Sequence, residues 1–120
     1  MPALPPAPTI VCEHPHVIDG DTLACRNLPA HVRLVGIDAP EMPGHCTIGR
    51  RCTPGDGQAS KRAMKTLVGA GALVVRPQGY DRYDRILARV SVNGIDLGCR
   101  MIALRMAVRR YARLDCRRAG

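Results

Sequence analysis

The sequence contains no phenylalanine, no tryptophan and only three tyrosines. This scarcity excludes a core built from aromatic rings, so the core must be aliphatic, made of Val, Leu, Ile, Ala and Met. The length of 120 residues predicts one domain. No apolar run approaches the roughly 20 residues of a membrane span, and no contact with a membrane is expected. Residues 1–10, MPALPPAPTI, lack the basic start and apolar stretch of a signal peptide.

Lysine is scarce as well. The net charge is +8 at pH 7, and Lys61 and Lys65 are the two lysines among 18 basic residues, so the basic side is almost entirely arginine. A guanidinium group binds phosphate through two parallel hydrogen bonds and stacks on bases. This balance favours a polyanionic partner such as nucleic acid, although a GC-rich coding bias also enriches arginine.

Six cysteines in so short a chain favour disulfides and an oxidising compartment, which predicts a secreted or periplasmic protein. Spacing alone proves no connectivity, and His45 beside a cysteine leaves a metal knuckle open. The candidate pairs are Cys12 with Cys25 across the first hairpin, Cys46 with Cys52 around a loop, and Cys99 with Cys116 between the last helix and the tail.

The hydrophobic pattern predicts three strands, a helix, two strands and a second helix. The predicted strands cover residues 9–18, 22–27, 31–37, 72–78 and 85–92, and the helices begin after caps at Asp56 and Asp96. This order is typical of an α+β, mainly β fold, the five-stranded Greek-key barrel called an OB-fold, with two helices. We expect a proline-rich linker over residues 1–9, the domain over 10–112 and a basic tail over 113–120.

Two short stretches concentrate the ionisable groups, VIDGDT at residues 17–22 and VRLVGIDAPE at residues 32–41. The Asp-Gly pair predicts a tight hairpin turn that carries Asp19 and Asp21 at its tip. Pro40 cannot donate to a strand ladder, so the third strand must end with Asp38 and Glu41 at its close. Turn aspartates are often simply solvated, and that interpretation fits each of them taken singly.

Several carboxylates in one place raise one another's pKa unless a cation compensates them. Arg33 is one such cation in the same stretch, and a hard ion such as Ca²⁺, which binds carboxylate and carbonyl oxygens, is another. A third stretch, Tyr80 to Arg85, interleaves arginine with tyrosine, which suits a phosphate held by the guanidinium and a base stacked on the ring. Together the stretches predict a site for phosphate chemistry.

The ordered motifs VIDGDT, VRLVGIDAPE, DRYDR and VRRY resemble the staphylococcal nuclease (thermonuclease) family over residues 10–112. The resemblance implies a Ca²⁺-dependent nuclease that acts as a monomer on DNA or RNA, prefers single strands and leaves 3′-phosphate ends. It also implies the roles of single residues. Ca²⁺ would be held by Asp21, Asp38 and the carbonyl of Ala39, with Asp19 in the outer shell. Glu41 would be the general base. Arg33 and Arg85 would bind phosphate, and Tyr83 and Tyr111 would contact the nucleotide.

Two departures from the family pattern bear on activity and shape. Asp84 replaces a glycine beside Arg85, which adds a negative charge and alters a position suited to a left-handed backbone. Arg105 replaces a glycine that ends the second helix, so we expect this helix, with apolar positions from Leu97 to Val108, to run on. The alternatives are a catalytically weakened nucleic-acid-binding module of the same OB-fold and a disulfide-stapled domain that binds a protein partner.

Overall fold

The computed structural model describes residues 8–46 and 52–117, and it folds them into nine short strands and two helices. The strands are β1 (Ile10–Val11), β2 (His16–Asp19), β3 (Thr22–Ala24), β4 (Val32–Leu34), β5 (Ile37–Asp38), β6 (Leu73–Tyr80), β7 (Ile86–Val92), β8 (Ile95–Asp96) and β9 (Val108–Arg109). The helices are α1 (Gly57–Val68) and α2 (Leu97–Ala103). Neither helix is long and apolar enough to cross a membrane.

The main sheet is mixed, with the strand order β1-β6-β7-β4-β3-β2 and β8 paired to β7. Strands β4 and β7 run parallel, and the other neighbours run antiparallel. Strands β1 and β2 occupy opposite ends of this order, yet only residues 12–15 separate them along the chain. The sheet must therefore curl until its ends approach, and it forms a partial barrel with two helices, consistent with an OB-like fold.

The core is aliphatic, as the lack of aromatic residues predicts. Strand β7 alternates buried and half-buried residues, so that Ile86, Ala88, Val90 and Val92 face inward. Apart from Ser60, the largest fully buried side chains are aliphatic or methionine: Leu23, Leu34, Ile37, Met64, Leu73, Leu97, Met101, Val32, Val75 and Val90. The three tyrosines are 60–73% exposed and take no part in this core.

Two predicted strands are each broken into two. The strand expected over residues 9–18 divides into β1 and β2, because His14 adopts a left-handed backbone (φ 47°) and Pro15 has no N–H to donate. The strand expected over residues 31–37 breaks at Gly36 (φ 80°), after which β5 leaves the main sheet and pairs with β9. A Cβ on Gly36 would lie 2.7 Å from the Cβ of Leu114.

The first helix begins where its cap is predicted. Asp56 accepts hydrogen bonds from the backbone N–H groups of Gln58 and Ala59, both at 3.0 Å, which satisfies two donors that a helix start leaves unpaired. The predicted turn at Asn93-Gly94 is also present, with both residues at positive φ as a tight hairpin of this kind requires.

The expectation that α2 runs on past Arg105 is wrong. The helix ends at Ala103, and Arg105 takes the left-handed conformation (φ 58°) that a glycine would adopt more readily. The N–H of Arg105 bonds the carbonyl of Ile102, and the N–H of Met106 bonds the carbonyl of Met101, both at 2.9 Å. These two bonds form a Schellman cap, so Val108 lies in β9 rather than on the helix.

The three cysteine pairs considered above all form disulfides in the structure: Cys12–Cys25, Cys46–Cys52 and Cys99–Cys116. Cys46 therefore pairs with Cys52 and is not part of a metal knuckle with His45. Disulfides persist in oxidising environments, and three of them are consistent with a location outside the cytoplasm.

The strained cap yields a stability prediction. We expect Arg105→Gly to raise the free energy of unfolding by roughly 0.5–1 kcal/mol, because glycine adopts a left-handed backbone without the steric cost that a Cβ imposes. The measurement is a urea titration compared with wild type. Arg100→Gly is the matched control, since Arg100 is an exposed residue inside α2 and its replacement should lower stability. Equal losses in both variants would contradict the prediction.

Candidate active site

The tip of the first hairpin is held against two other elements by close packing. Gly20 is buried, and a Cβ there would lie 1.9 Å from Oγ of Ser60 in α1 and 2.8 Å from Cβ of Ala39. The backbone N–H of Ala39 donates a 2.8 Å hydrogen bond to Oδ2 of Asp21. Because Gly20 has no side chain, the hairpin tip can pack closely enough to place Asp21 beside the end of β5.

A buried arginine lies between two buried carboxylates. Nη2 of Arg33 is 3.1 Å from Oδ1 of Asp38 and 3.4 Å from Oδ2 of Asp21, and all three residues are at most 7% exposed. Nη1 of the same arginine donates to the carbonyl of Leu34 at 2.7 Å. The sequence predicts that these charges converge, and the structure does place them together.

Burial raises the pKa of Asp21 to about 6, from an ordinary value of 3.8. The guanidinium of Arg33 opposes this rise, whereas the neighbouring carboxylate of Asp19 adds to it. Asp19 is half-buried, and its Oδ1 accepts a 3.2 Å hydrogen bond from the backbone N–H of Asp21. The arginine alone therefore compensates the negative charge of this pair incompletely.

Two residues that the sequence did not single out complete the surroundings of Asp38. Nη1 of Arg110 lies 3.0 Å from Oδ2 of Asp38 and 3.1 Å from Oγ1 of Thr53, and the Thr53 hydroxyl donates to the same Oδ2. Thr53 is buried and follows Cys52 of the loop disulfide. In the sequence Arg110 stands out only as part of the VRRY motif, and no local pattern marks Thr53.

Beside this cluster lies an open cavity of about 340 Å³, which we name the arginine–tyrosine cavity. Its walls include four residues that the sequence assigned to substrate, and they come from three separate parts of the chain. The four are Arg33, Tyr83, Arg85 and Tyr111. Arg82 and Arg110 also line it, so that four guanidinium groups surround a space about the size of a small ligand site.

The loop before β7 orients one wall of the cavity. Nε of Arg85 lies 2.7 Å from Oδ2 of Asp81, whose Oδ1 accepts from the N–H groups of Tyr83 and Arg85 at 2.9 Å. The guanidinium of Arg85 is 5.3 Å from the ring centroid of Tyr83. Asp84 does adopt the left-handed conformation (φ 62°), and its N–H bonds the carbonyl of Asp81 at 3.0 Å.

The remaining predicted residues are less closely associated with the cavity. Glu41 is half-buried just beyond β5, and its backbone lies against Gly57 at the start of α1. Of the described residues that line the arginine–tyrosine cavity, none is Glu41, Asp21 or Asp38. Within residues 8–46 and 52–117, no three His, Cys, Asp or Glu side chains are grouped so as to hold a metal ion. Arg33 and Arg110 both line the cavity and pair with Asp38, and Arg33 also lies beside Asp21.

Comparison with known proteins relates the chain to a family and to a named protein. The family model described as "Staphylococcal nuclease homologue" matches residues 31–118. A protein of Haemophilus influenzae named "Uncharacterized endonuclease" is 33% identical over 99 residues, which cover 80% of this chain and 50% of that protein. The chain thus spans half the length of that relative. Both matches support a nuclease.

The Thr53 hydroxyl generates a prediction about the site's stability. Thr53→Val removes a buried donor from Asp38 and should lower the free energy of unfolding by about 1–3 kcal/mol. Thr66→Val is the matched control, because Thr66 is exposed on α1 and its hydroxyl donates to the carbonyl of Arg62 in the preceding turn. Urea denaturation checks both variants, and a Thr53 variant no weaker than the Thr66 control would contradict the assigned contact.

The raised pKa of Asp21 generates a prediction about pH. A carboxyl with a higher pKa in the folded state contributes stability below its unfolded pKa of 3.8, and this contribution is lost as the pH rises through about 6. Above that range the ionised group costs roughly 3 kcal/mol. With metal chelated, Asp21→Asn should therefore stabilise the protein at neutral pH and have little effect near pH 4.

The matched control has the opposite sign. Hydrogen bonds from Arg117 lower the pKa of Asp115 to about 2, so this carboxylate stabilises the fold at neutral pH, and Asp115→Asn should weaken it there. Denaturation midpoints at acidic and neutral pH check both variants. A destabilised Asp21→Asn protein at neutral pH would show that burial is not the dominant effect.

Proposed function

Since the chain belongs to the family of staphylococcal nuclease homologues, we propose that it is a Ca²⁺-dependent nuclease that hydrolyses single-stranded DNA or RNA to 3′-phosphate ends. The single observation that carries this proposal is Arg33. Its guanidinium lies within 3.4 Å of both Asp21 and Asp38 and also lines the arginine–tyrosine cavity. A phosphodiester in that cavity would thus contact guanidinium groups, and the carboxylate oxygens of Asp21 and Asp38 would lie on the far side of Arg33.

The two arginines Arg33 and Arg85 are proposed to bind the non-bridging oxygens of the scissile phosphate. Attack at phosphorus builds a five-coordinate state with extra negative charge on these oxygens, and preorganised guanidinium groups stabilise that charge more than they stabilise the substrate. Salt bridges to Asp38 and Asp81 fix the direction of each guanidinium before substrate arrives. Because these guanidinium groups are already oriented, they need less reorganisation on the way to the transition state than unpaired side chains would.

Glu41 is proposed as the general base. Its carboxylate would take a proton from a water molecule, whose oxygen forms a bond to phosphorus as the bond from phosphorus to the 5′ oxygen breaks. The leaving oxygen acquires a proton from solvent and becomes a 5′-hydroxyl, and the phosphate remains on the 3′ side. General base catalysis of this kind typically contributes about 10² to 10⁴ in rate.

The carboxylates fit a hard cation by their donor type and their remaining capacity. Each carboxylate offers about four acceptor positions. Asp21 accepts from Thr22, Ala39 and Arg33, and Asp38 accepts from Arg33, Thr53 and Arg110. We propose that Asp21, Asp38 and the Ala39 carbonyl would hold Ca²⁺, with Asp19 in the outer shell. The ion would supply positive charge against the phosphate.

The tyrosines support the preference for single strands. Tyr83 and Tyr111 stand on the cavity wall with 60% and 73% of their surface exposed, in a chain whose core contains no aromatic ring. An exposed ring can stack on a base only if that base is free of its own duplex neighbours, and each such contact typically contributes about 1–3 kcal/mol. Unpaired bases therefore suit this site better than a duplex.

A catalytically weakened nucleic-acid-binding module is the second candidate, and one observation favours it. Both oxygens of Asp38 already accept hydrogen bonds, from Arg33 on one side and from Thr53 and Arg110 on the other. Bonds that compete with Ca²⁺ for these oxygens would weaken metal binding while leaving the arginines able to grip phosphate. A Ca²⁺ titration in which digestion by the wild-type protein and by Asp21→Asn is measured separates the two candidates, because only the nuclease requires the ion for its function.

The finer features of the protein belong to the same proposal. We assign the partial barrel to the five-stranded Greek-key OB-fold, with the nuclease domain over residues 10–112. We propose that the protein acts as a monomer. We also propose that it works in a secreted or periplasmic setting, which the three disulfides support.

The decisive experiment is digestion of heat-denatured DNA with Ca²⁺, with the chelator EGTA, and by two variants. Glu41→Gln should lower the rate by about 10² or more, since it removes the general base. Arg85→Ala should lower it by a similar factor, since it removes a transition-state contact. EGTA should abolish digestion, and end-labelling of the products should detect 3′-phosphates.

The matched control is Glu13→Gln. Glu13 is exposed, pairs with Arg26 and lies outside the arginine–tyrosine cavity, so its replacement should leave the rate unchanged. Digestion that ignores EGTA and both site variants would overturn the mechanism.

A further inference from the structure

The segment that follows β9 is fixed to the domain. Leu114 is buried, its carbonyl accepts a hydrogen bond from Nη1 of Arg109, and the carbonyl of Asp115 accepts one from Nη2 of Arg89 at 2.9 Å. The Cys99–Cys116 disulfide then ties the segment to α2. The backbone of this segment is therefore already ordered, and binding a ligand costs the segment less conformational entropy than it would cost a free tail.

An open groove of about 440 Å³, which we name the arginine groove, is lined by three arginines, one at the end of β9 and two on this segment. Arg109, Arg113 and Arg117 are all exposed. Arg117 is paired with Asp115 at 2.8 Å, whereas within the described part of the chain Arg109 and Arg113 form no ion pair with a carboxylate. The groove thus offers an anionic ligand two guanidinium groups that form no ion pair among the described residues. Asp115 also lines the groove and offsets part of this positive charge, since Arg117 and, more weakly, Arg113 lower the pKa of that carboxyl.

Consecutive residues of the chain line the arginine–tyrosine cavity and the arginine groove. Arg110, Tyr111 and Ala112 line the cavity, and the very next residue, Arg113, lines the groove. The chain turns tightly between them, because Tyr111 is left-handed (φ 68°) and the N–H of Ala112 bonds the carbonyl of Arg110 at 2.8 Å. A polyanion that leaves the cavity past the exposed Tyr111 ring would next meet these arginines.

We propose that the arginine groove is a second contact surface for the sugar–phosphate backbone of the strand whose scissile phosphate occupies the cavity. This inference rests on the proposed nuclease function and adds a statement about the substrate, namely that a long single strand binds better than a dinucleotide. Exposed guanidinium groups contact phosphates without reading bases, so the groove increases affinity without adding sequence preference.

The test compares Arg109→Gln/Arg113→Gln, which removes the two groove arginines without an ion pair, with the matched control Arg62→Gln/Lys65→Gln, which removes the same charge from the exposed face of α1. Binding of a fluorescent single-stranded oligonucleotide is measured by anisotropy, in chelator, across a range of salt. The groove variant should bind about tenfold more weakly than wild type. Its slope of log affinity against log salt should be shallower by about 1.4, because each contact to a single strand contributes roughly 0.7. The control should match wild type on both measures.

Kinetics with Ca²⁺ provide the second readout. The groove variant should show a raised KM for a long single strand with kcat unchanged, and the increase in KM should be much smaller for a dinucleotide. Unchanged oligonucleotide binding and unchanged KM in a protein that still digests DNA would overturn the groove while leaving the nuclease intact. A protein that digests nothing would refute the nuclease, and the chelated binding assay would still decide the groove.

Anionic vesicles of phosphatidylserine form the final arm, because a lipid surface also presents phosphates. Loss of vesicle binding with oligonucleotide binding unchanged would assign these arginines to a membrane and overturn the proposal. Weaker oligonucleotide binding in the groove variant alone supports it.

Discussion

The site depends on one guanidinium, that of Arg33, which lies between two carboxylates in the interior of the protein. Burying three charges is costly unless each is paired and hydrogen-bonded, and removing the guanidinium would leave two buried carboxylates without their common partner. The register of β4 fixes this arrangement, since Arg33 is paired with Thr22 on β3 and with Leu87 on β7. One residue in the middle of the sheet thereby links the hairpin tip, the end of β5 and the strand that carries the cavity wall.

Features of the sequence that act over a few residues predicted the structure well. The Asp56 cap, the Asn93-Gly94 turn and the alternation along β7 depend on neighbours in the chain, and all three are confirmed. The division of the third predicted strand was missed because it depends on Gly36 and Leu114, which are far apart in sequence. Arg110 and Thr53 were missed for the same reason, since 57 positions separate the two residues whose side chains meet.

Left-handed backbone occurs at two non-glycine positions in or beside the arginine–tyrosine cavity. Asp84 lies between the lining residues Tyr83 and Arg85, and Tyr111 lines the cavity itself. A non-glycine residue in the left-handed region costs free energy that the surrounding structure must offset. At Tyr111 the strain coincides with an exposed ring, 5.2 Å from the guanidinium of Arg110. We interpret the combination of a left-handed backbone and an exposed ring to mean that the side chain, not the backbone conformation, determines which residue stands at this position.

The loop between β5 and α1 links the redox environment to the site. Thr53 directly follows Cys52, and the Cys46–Cys52 disulfide closes a small ring within the segment that brings the Thr53 hydroxyl to Asp38. A cross-link restricts the conformations that such a loop can adopt. A larger fraction of the remaining conformations then places Thr53 near the carboxylate. Reduction would release that constraint without touching any group proposed to bind phosphate. The orientation of Asp38, and with it the direction of Arg33 and Arg110, therefore depends in part on an oxidising environment. The core depends on one too, since it contains Cys12, Cys25 and Cys99, which are all in disulfides.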